Sequence, residues 1–155
     1  MKRAEWLFAL RTYKGVRFLH QGRTRAGVDC VGLLACAAND LGVPNIVHAN
    51  LRDYQRAPDS DMFRQEIARL LTPLPYNRLQ PIRKQLLPGD VIAFWVDKRG
   101  LPRHVAVYTG LNENGRDMII HAYAKVQKCV VEQELDIGFW SPRIDSVWRL
   151  PSLED

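Results

Sequence analysis

The sequence predicts an α+β domain, with helices toward the N-terminus and an antiparallel sheet after them. Two patterns carry that expectation. Up to Leu71 apolar residues recur at helical spacing, and from Val91 onward short β-branched runs alternate with glycine-containing breaks. A third observation sets the scale. With 155 residues, 46% hydrophobic and 25% charged, the chain has the make-up of one globular domain. At that length folding buries roughly 70% of the surface the unfolded chain exposes, without disulfide or metal staples. One domain over residues 1–155 is expected, with no internal repeat and no low-complexity tract.

Taken in order, Ala4 to Tyr13 carries a helical stripe of Trp6, Leu7 and Leu10 and stops at Gly15. Val16 to Val28 lacks periodicity, and Gly22, Arg23, Arg25 and Gly27 mark it as an irregular loop. Asp29 stands at an N-cap position before the small, apolar run Cys30 to Leu41, which Gly42 and Pro44 end; such a helix is buried nearly all round. Asp59 and Ser60 are candidate caps for an amphipathic helix with Phe63, Ile67, Leu70 and Leu71 on one face. Four prolines between Thr72 and Pro88 predict a connector without regular structure. Strands are predicted at Val91–Val96, His104–Tyr108, Met118–Tyr123, Lys128–Glu132 and Ser146–Leu150. Trp6, Trp95, Trp140 and Trp148 are expected to be core or interface residues.

The net charge of +5 is local. Met1 to Arg25 holds seven basic residues against Glu5 alone, a net +6, while the remainder carries 15 positive and 16 negative charges. Nucleic-acid binding is disfavoured, because the basic cluster has no interleaved aromatics and no recognised module. A solvated face, an acidic partner, or substrate carboxylates held by Arg23 or Arg25 remain as readings. No apolar run reaches the roughly 18 residues of a membrane span. The start resembles a signal peptide but is broken by Glu5 and Arg11 and has no small-residue cleavage site. Cys30, Cys36 and Cys129 form no Cys-x-x-Cys pair, which argues against a disulfide framework and a zinc cage; synthesis in a reducing cytoplasm is expected, with no metal and no cofactor.

Chemistry concentrates at Cys30. A cysteine in the first turn of a helix meets aligned peptide dipoles and unpaired N–H groups, which favour thiolate and can lower its pKa below about 8.5. An activated thiol needs a base. His20 and His48 fall in loops, whereas His104 and His121 fall on consecutive predicted strands. Neighbouring antiparallel strands bring side chains to about 5 Å, so both imidazoles can line one face, on which the Cys30 helix is expected to pack. A nucleophile, a base and a third group that orients the base would result.

The segments Asp29–Leu33, Leu87–Phe94, His104–Tyr108 and His121–Ala122 resemble, in order and content, the NlpC-type branch of the papain-like cysteine peptidases, over roughly Val16 to Leu150. The resemblance implies a papain-like fold whose N-terminal helices pack on one face of an antiparallel sheet of about five to six strands. It also implies a cysteine endopeptidase that cuts stem-peptide amide bonds of bacterial peptidoglycan. Cys30 would be the nucleophile, with its backbone N–H in the oxyanion hole, His104 the base and His121 the third member. Phe18, His20, Arg23, Arg25 and Asp29 are the candidate substrate-binding residues. Phe18 stands where the family has a tyrosine, and Val31 where it commonly has a serine. His20–Arg23 with Gly27–Leu33 is also similar to peptidase-like proteins encoded among tail genes of long-tailed bacteriophages and gene transfer agents. That similarity implies a chain delivered by a virion, with tail-tip or hub proteins as partners.

Other readings of the same residues stand beside these. Cys30 can be an inert core cysteine and the two histidines satisfied strand residues. Cys36 and Cys129 read as core and strand residues, and a zinc site of Cys30, His104, His121 and Cys129 lacks any local ligand pair. Asp29 can be an N-cap that never touches substrate. At the level of the protein, the alternatives are a tail-tip subunit that keeps the fold as an assembly part, and an amidase or acyltransferase on a lipid or small amide.

Overall fold

A computed structural model describes residues 1–43, 61–96, 102–136 and 138–155. His48, and Asp59 and Ser60 as helix caps, lie outside these. Among the described residues three helices precede the sheet: α1 (Arg3–Arg11), α2 (Cys30–Asp40) and α3 (Met62–Leu70). A small hairpin, β1 (Arg23–Thr24) and β2 (Gly27–Val28), precedes α2. The main sheet has six strands: β3 (Thr72–Leu74), β4 (Val91–Trp95), β5 (Pro102–Leu111), β6 (Asp117–Ala122), β7 (Val130–Glu134) and β8 (Ile144–Arg149). Its order is β3-β8-β4-β5-β6-β7, antiparallel throughout. The meander β4 to β7 follows the sequence pattern, and β8 returns to the open side of β4.

Two differences from the sequence-based expectation have plain causes. The loop after Val16 contains the β1–β2 hairpin, whose strands are too short to show periodicity. The proline-rich connector contains the edge strand β3, with Pro73 opposite Trp148, and a 3-10 turn at Ile82–Lys84. Proline is tolerated on an edge because one side of the strand needs no donor.

Side-chain alternation divides the interior into two layers. On one face α1 and α2 pack with Phe63 and Ile67 of α3 against Val91, Ala93, Val105, Val107, Ile120 and Ala122. On the other, Ile92, Phe94, Ala106, Tyr108, Ile119 and Val147 are covered by Ile82, Leu86 and Trp140 from the connector and the turn before β8. Every residue from Cys30 to Ala38 is buried, as the small apolar composition of α2 requires.

Buried carboxylates tie the layers together. Asp90 is fully buried in the turn before β4 and receives Arg149 Nε and Nη2, each at 2.7 Å, and Arg3 Nη1 at 3.2 Å. Burial alone would raise its pKa, but these donors and the Leu87 N–H outweigh burial and lower it. Removing one partner of such a pair costs about 3–5 kcal/mol. Trp6 Nε1 donates to the Gly89 carbonyl next door, and Gly89 itself has φ of +101°.

Glu132 on β7 plays the same part for the N-terminal region, with Arg11 Nη2 at 2.8 Å and Lys14 Nζ at 2.6 Å. Burial pushes its carboxyl up, yet the hydrogen bonds from Arg11 and Lys14 hold it at about 2. Its unfolded value is about 4.3, so its contribution to stability is complete above roughly pH 5 and is lost as pH falls toward the folded value. Glu132→Gln is expected to flatten this part of the acid limb when urea midpoints are measured against pH. An unchanged acid slope would remove the Arg11–Glu132–Lys14 cluster from the account.

Candidate active site

Cys30 is the first residue of α2, and the cap before it is Asp29. The Asp29 carboxylate is 1% exposed; Oδ1 accepts from Gly32 N at 2.7 Å and Arg23 Nη1 at 2.8 Å, and Oδ2 accepts from Gln21 N at 2.9 Å. The loop before the helix is thereby drawn onto its first turn. Contact is so close that a Cβ on Gly32 would collide with the Gly22 carbonyl oxygen.

His104 and His121 come together as their strand positions predict. His104 Nε2 and His121 Nδ1 are 2.7 Å apart, and both rings are buried. An aromatic enclosure holds them. Trp140 stacks on His104 at 5.0 Å and 28°, Tyr123 stacks on His121 at 5.6 Å and 8°, and Phe94 lies 6.0 Å from His104. Tyr123 was detectable in the sequence, two residues beyond His121 and so on the same face of the strand. Trp140 carries no such signal, because it reaches the site from an irregular turn.

The faces differ from the sequence-based expectation. Phe94, Trp140 and Tyr123 belong to the layer away from the helices, and the imidazoles lie with them, whereas α2 packs on the opposite layer. What connects the two is a break in the sheet. The β5–β6 ladder ends at Val107↔Ile120, so Pro102 to Ala106 pair with β4 alone. Tyr108 exchanges backbone hydrogen bonds with Gly89 and Asp90 on the β4 side. By alternation, Val105 directs its N–H toward the gap beside β6. A backbone hydrogen bond at Val105, next in sequence to the base candidate, reaches the Cys30 sulfur. Among the described residues no hydrogen bond joins the thiol to either imidazole.

Electrostatics also correct an expectation. Burial pushes the Cys30 thiol up to about 12, and the neighbouring Asp29 charge adds to this. The backbone bonds at Val105 and Val31 and the Arg23 charge favour thiolate but do not overcome desolvation. Burial and the His121 ring hold His104 well below the ordinary imidazole range, and burial takes His121 to about 4. Burial thus favours the neutral thiol at Cys30 and the neutral imidazole at His104 and at His121.

The residues expected around the substrate are mostly engaged within the fold. Arg23 binds Asp29 and the Gly22 carbonyl. Arg25 donates to Thr12 and Asp40 and lies 3.9 Å over the Tyr13 ring. Phe18 packs against the helical layer and bridges to Val28, while His20 is exposed. Of the set, Asp29 alone adjoins the thiol in sequence.

Cys30 at a helix start, beside the gap between two strands that carry His104 and His121, is a candidate thiol site on an α+β scaffold. The NlpC/P60 family model matches residues 15–149, and the chain belongs to that family. Among solved structures it is similar to an NLP/P60 family protein, similar to lipoprotein, from Staphylococcus aureus (TM-score 0.65, 16% identity, 99% of this chain and 42% of that one). It is also similar to an NlpC/P60 family protein from Bacillus cereus (TM-score 0.65, 17% identity, 96% and 40%). A third likeness is to the NlpC/p60 domain of the peptidoglycan hydrolase SagA (TM-score 0.57, 16% identity, 97% and 100%). The chain thus spans about two fifths of the first two and the whole of the third. No curated protein matches it.

The neutral resting site has a measurable consequence. In substrate-free protein the alkylation rate of Cys30 by iodoacetamide should climb with pH and show no plateau between about pH 5 and 9, because the thiol titrates far above that range. A plateau near neutrality would reveal a preformed thiolate–imidazolium pair.

Proposed function

We propose that this protein is a cysteine peptidase that hydrolyses stem-peptide amide bonds of bacterial peptidoglycan, with Cys30 as nucleophile, His104 as base and His121 as the group that orients the base. The observation that carries this reading is the 2.7 Å contact between His104 Nε2 and His121 Nδ1. It engages one nitrogen of His104 and leaves Nδ1 as the atom to take the thiol proton.

The reaction follows from that assignment. His104 Nδ1 accepts the Cys30 proton as the sulfur attacks the amide carbonyl, and the developing oxyanion is held by backbone N–H groups at the α2 N-terminus, that of Cys30 included. The C–N bond breaks as His104 returns the proton to the leaving amine. Water, deprotonated by His104, then attacks the thioester and releases the new carboxylate and the thiol. Since the resting pair is neutral, proton transfer accompanies attack and does not precede it.

Delivery by a phage tail is the finer part of the proposal. It rests on the resemblance of His20–Arg23 and Gly27–Leu33 to tail-encoded peptidase-like proteins, and makes tail-tip or hub proteins the partners. One observation favours a second reading, an assembly subunit that retains the fold: the thiol is buried and pushed up to about 12.

Cys30→Ala is expected to abolish release of stem-peptide fragments from purified peptidoglycan, a loss on the order of 10³-fold or more, while leaving the thermal unfolding midpoint near that of the parent. Unchanged release would refute the enzyme reading. Particles carrying Cys30→Ala that assemble and infect normally would favour the structural one.

A further inference from the structure

The second ring nitrogen of His121 has no hydrogen-bond partner among the described residues, although the ring is fully buried. Its protonation follows from its neighbours. For His104 Nδ1 to accept the thiol proton, the His104 proton must sit on Nε2 and point at His121 Nδ1. His121 then carries its own proton on Nε2, a buried donor that requires an acceptor.

The rings around His121 do not supply one. Tyr123 lies parallel to it at 5.6 Å, with its face toward the imidazole face. Trp140 meets it at 82° and 5.2 Å, and an indole has no oxygen to accept with. The neighbouring strand does offer one. Register pairs His121 with Val131 and Ile119 with Gln133, which makes Gln133 the diagonal neighbour of His121 on the same face. Such positions are roughly 7–8 Å apart, a span that a glutamine side chain covers. Gln133 also lines a polar cavity of about 510 Å³ with Arg83, Arg116 and Asp136, so it stands between the buried ring and an open space. The Arg83 and Arg116 guanidiniums in that cavity are taken up by Asp117 and Glu134.

We propose that the Gln133 side-chain carbonyl accepts the Nε2–H of His121 and fixes the tautomer that receives the His104 proton, which makes Gln133 a positioning residue acting through two histidines. Burial lowers the His121 pKa, and Gln133 is the group that partly offsets this, as an acceptor at a ring N–H does. The resting structure leaves the pair just outside hydrogen-bond geometry, and rotation of the Gln133 side chain beside the open cavity brings its oxygen onto the Nε2–H without substrate. The proposal rests on the reading of Cys30 and His104 as nucleophile and base.

Ring ¹⁵N NMR of the substrate-free protein tests it without turnover, and wall-peptide kinetics test it with turnover. The parent protein is expected to hold His121 in a single Nε2-protonated tautomer. Gln133→Leu should give mixed tautomers and a kcat lower by about five- to tenfold with KM unchanged, the effect of one neutral hydrogen bond. Gln133→Glu, which keeps an acceptor oxygen, should retain the single tautomer and most of kcat. A parent His121 protonated on Nδ1, or ring shifts unmoved by Gln133→Leu, would overturn the proposal. A parent protein with no wall activity would retire the hydrolase reading instead, and the tautomer result would still stand or fall by the ring signals.

Discussion

Two groups of the loop before α2 and one backbone N–H of its first turn converge on the Asp29 carboxylate, which is almost wholly out of water. Because its oxygens are held from both sides, the loop, the hairpin and the helix start move as one unit, and Cys30 is placed at the β5–β6 gap as a result. The same charge also works against the residue it places: it raises the thiol pKa, as burial does. Position and reactivity are in opposition here. The site holds its sulfur firmly and keeps it protonated until something else enters.

The basic N-terminal region loses its prominence once the chain is folded. Arg3 meets Asp90 and Asp155, Arg11 and Lys14 meet Glu132, Arg23 meets Asp29 and Arg25 meets Asp40. Those acids come from elements spread along the chain. What reads as a run of positive charge in one dimension is a set of ties between the first helix, the second helix and the sheet. Exposed pairs such as Arg25–Asp40 contribute little, while those that end on Asp90 and Asp29 carry more, since an unpaired buried charge is costly.

Much of this was legible in the sequence. The periodicity of α2, the N-cap at Asp29 and the β-branched runs of β4 to β8 depend on local pattern, and local pattern survives folding. That His104 and His121 share a face follows from the even spacing of strand residues. Which face they share does not, because it depends on how far β6 diverges from β5 below Val107. The burial that controls the Cys30 thiol is likewise a property of three-dimensional packing; the helix-terminus contribution read from sequence has the expected sign, and desolvation outweighs it. Strand β3 was hidden by Pro73 within it and Pro75 just after it, and Trp140 by the irregular turn that carries it.

The two outer strands of the sheet have a further consequence. An open strand edge invites the edge of another copy, yet β3 is three residues long and carries Pro73, while β7 carries charged Glu132 and ends on Glu134, with its start covered by the Gly15–Phe18 segment. A six-stranded sheet closed off in this way can be crowded at high local density, on a surface or in a particle, without copies stacking edge to edge. Pro73, which obscures the strand from sequence reading, also disfavours edge-to-edge pairing there.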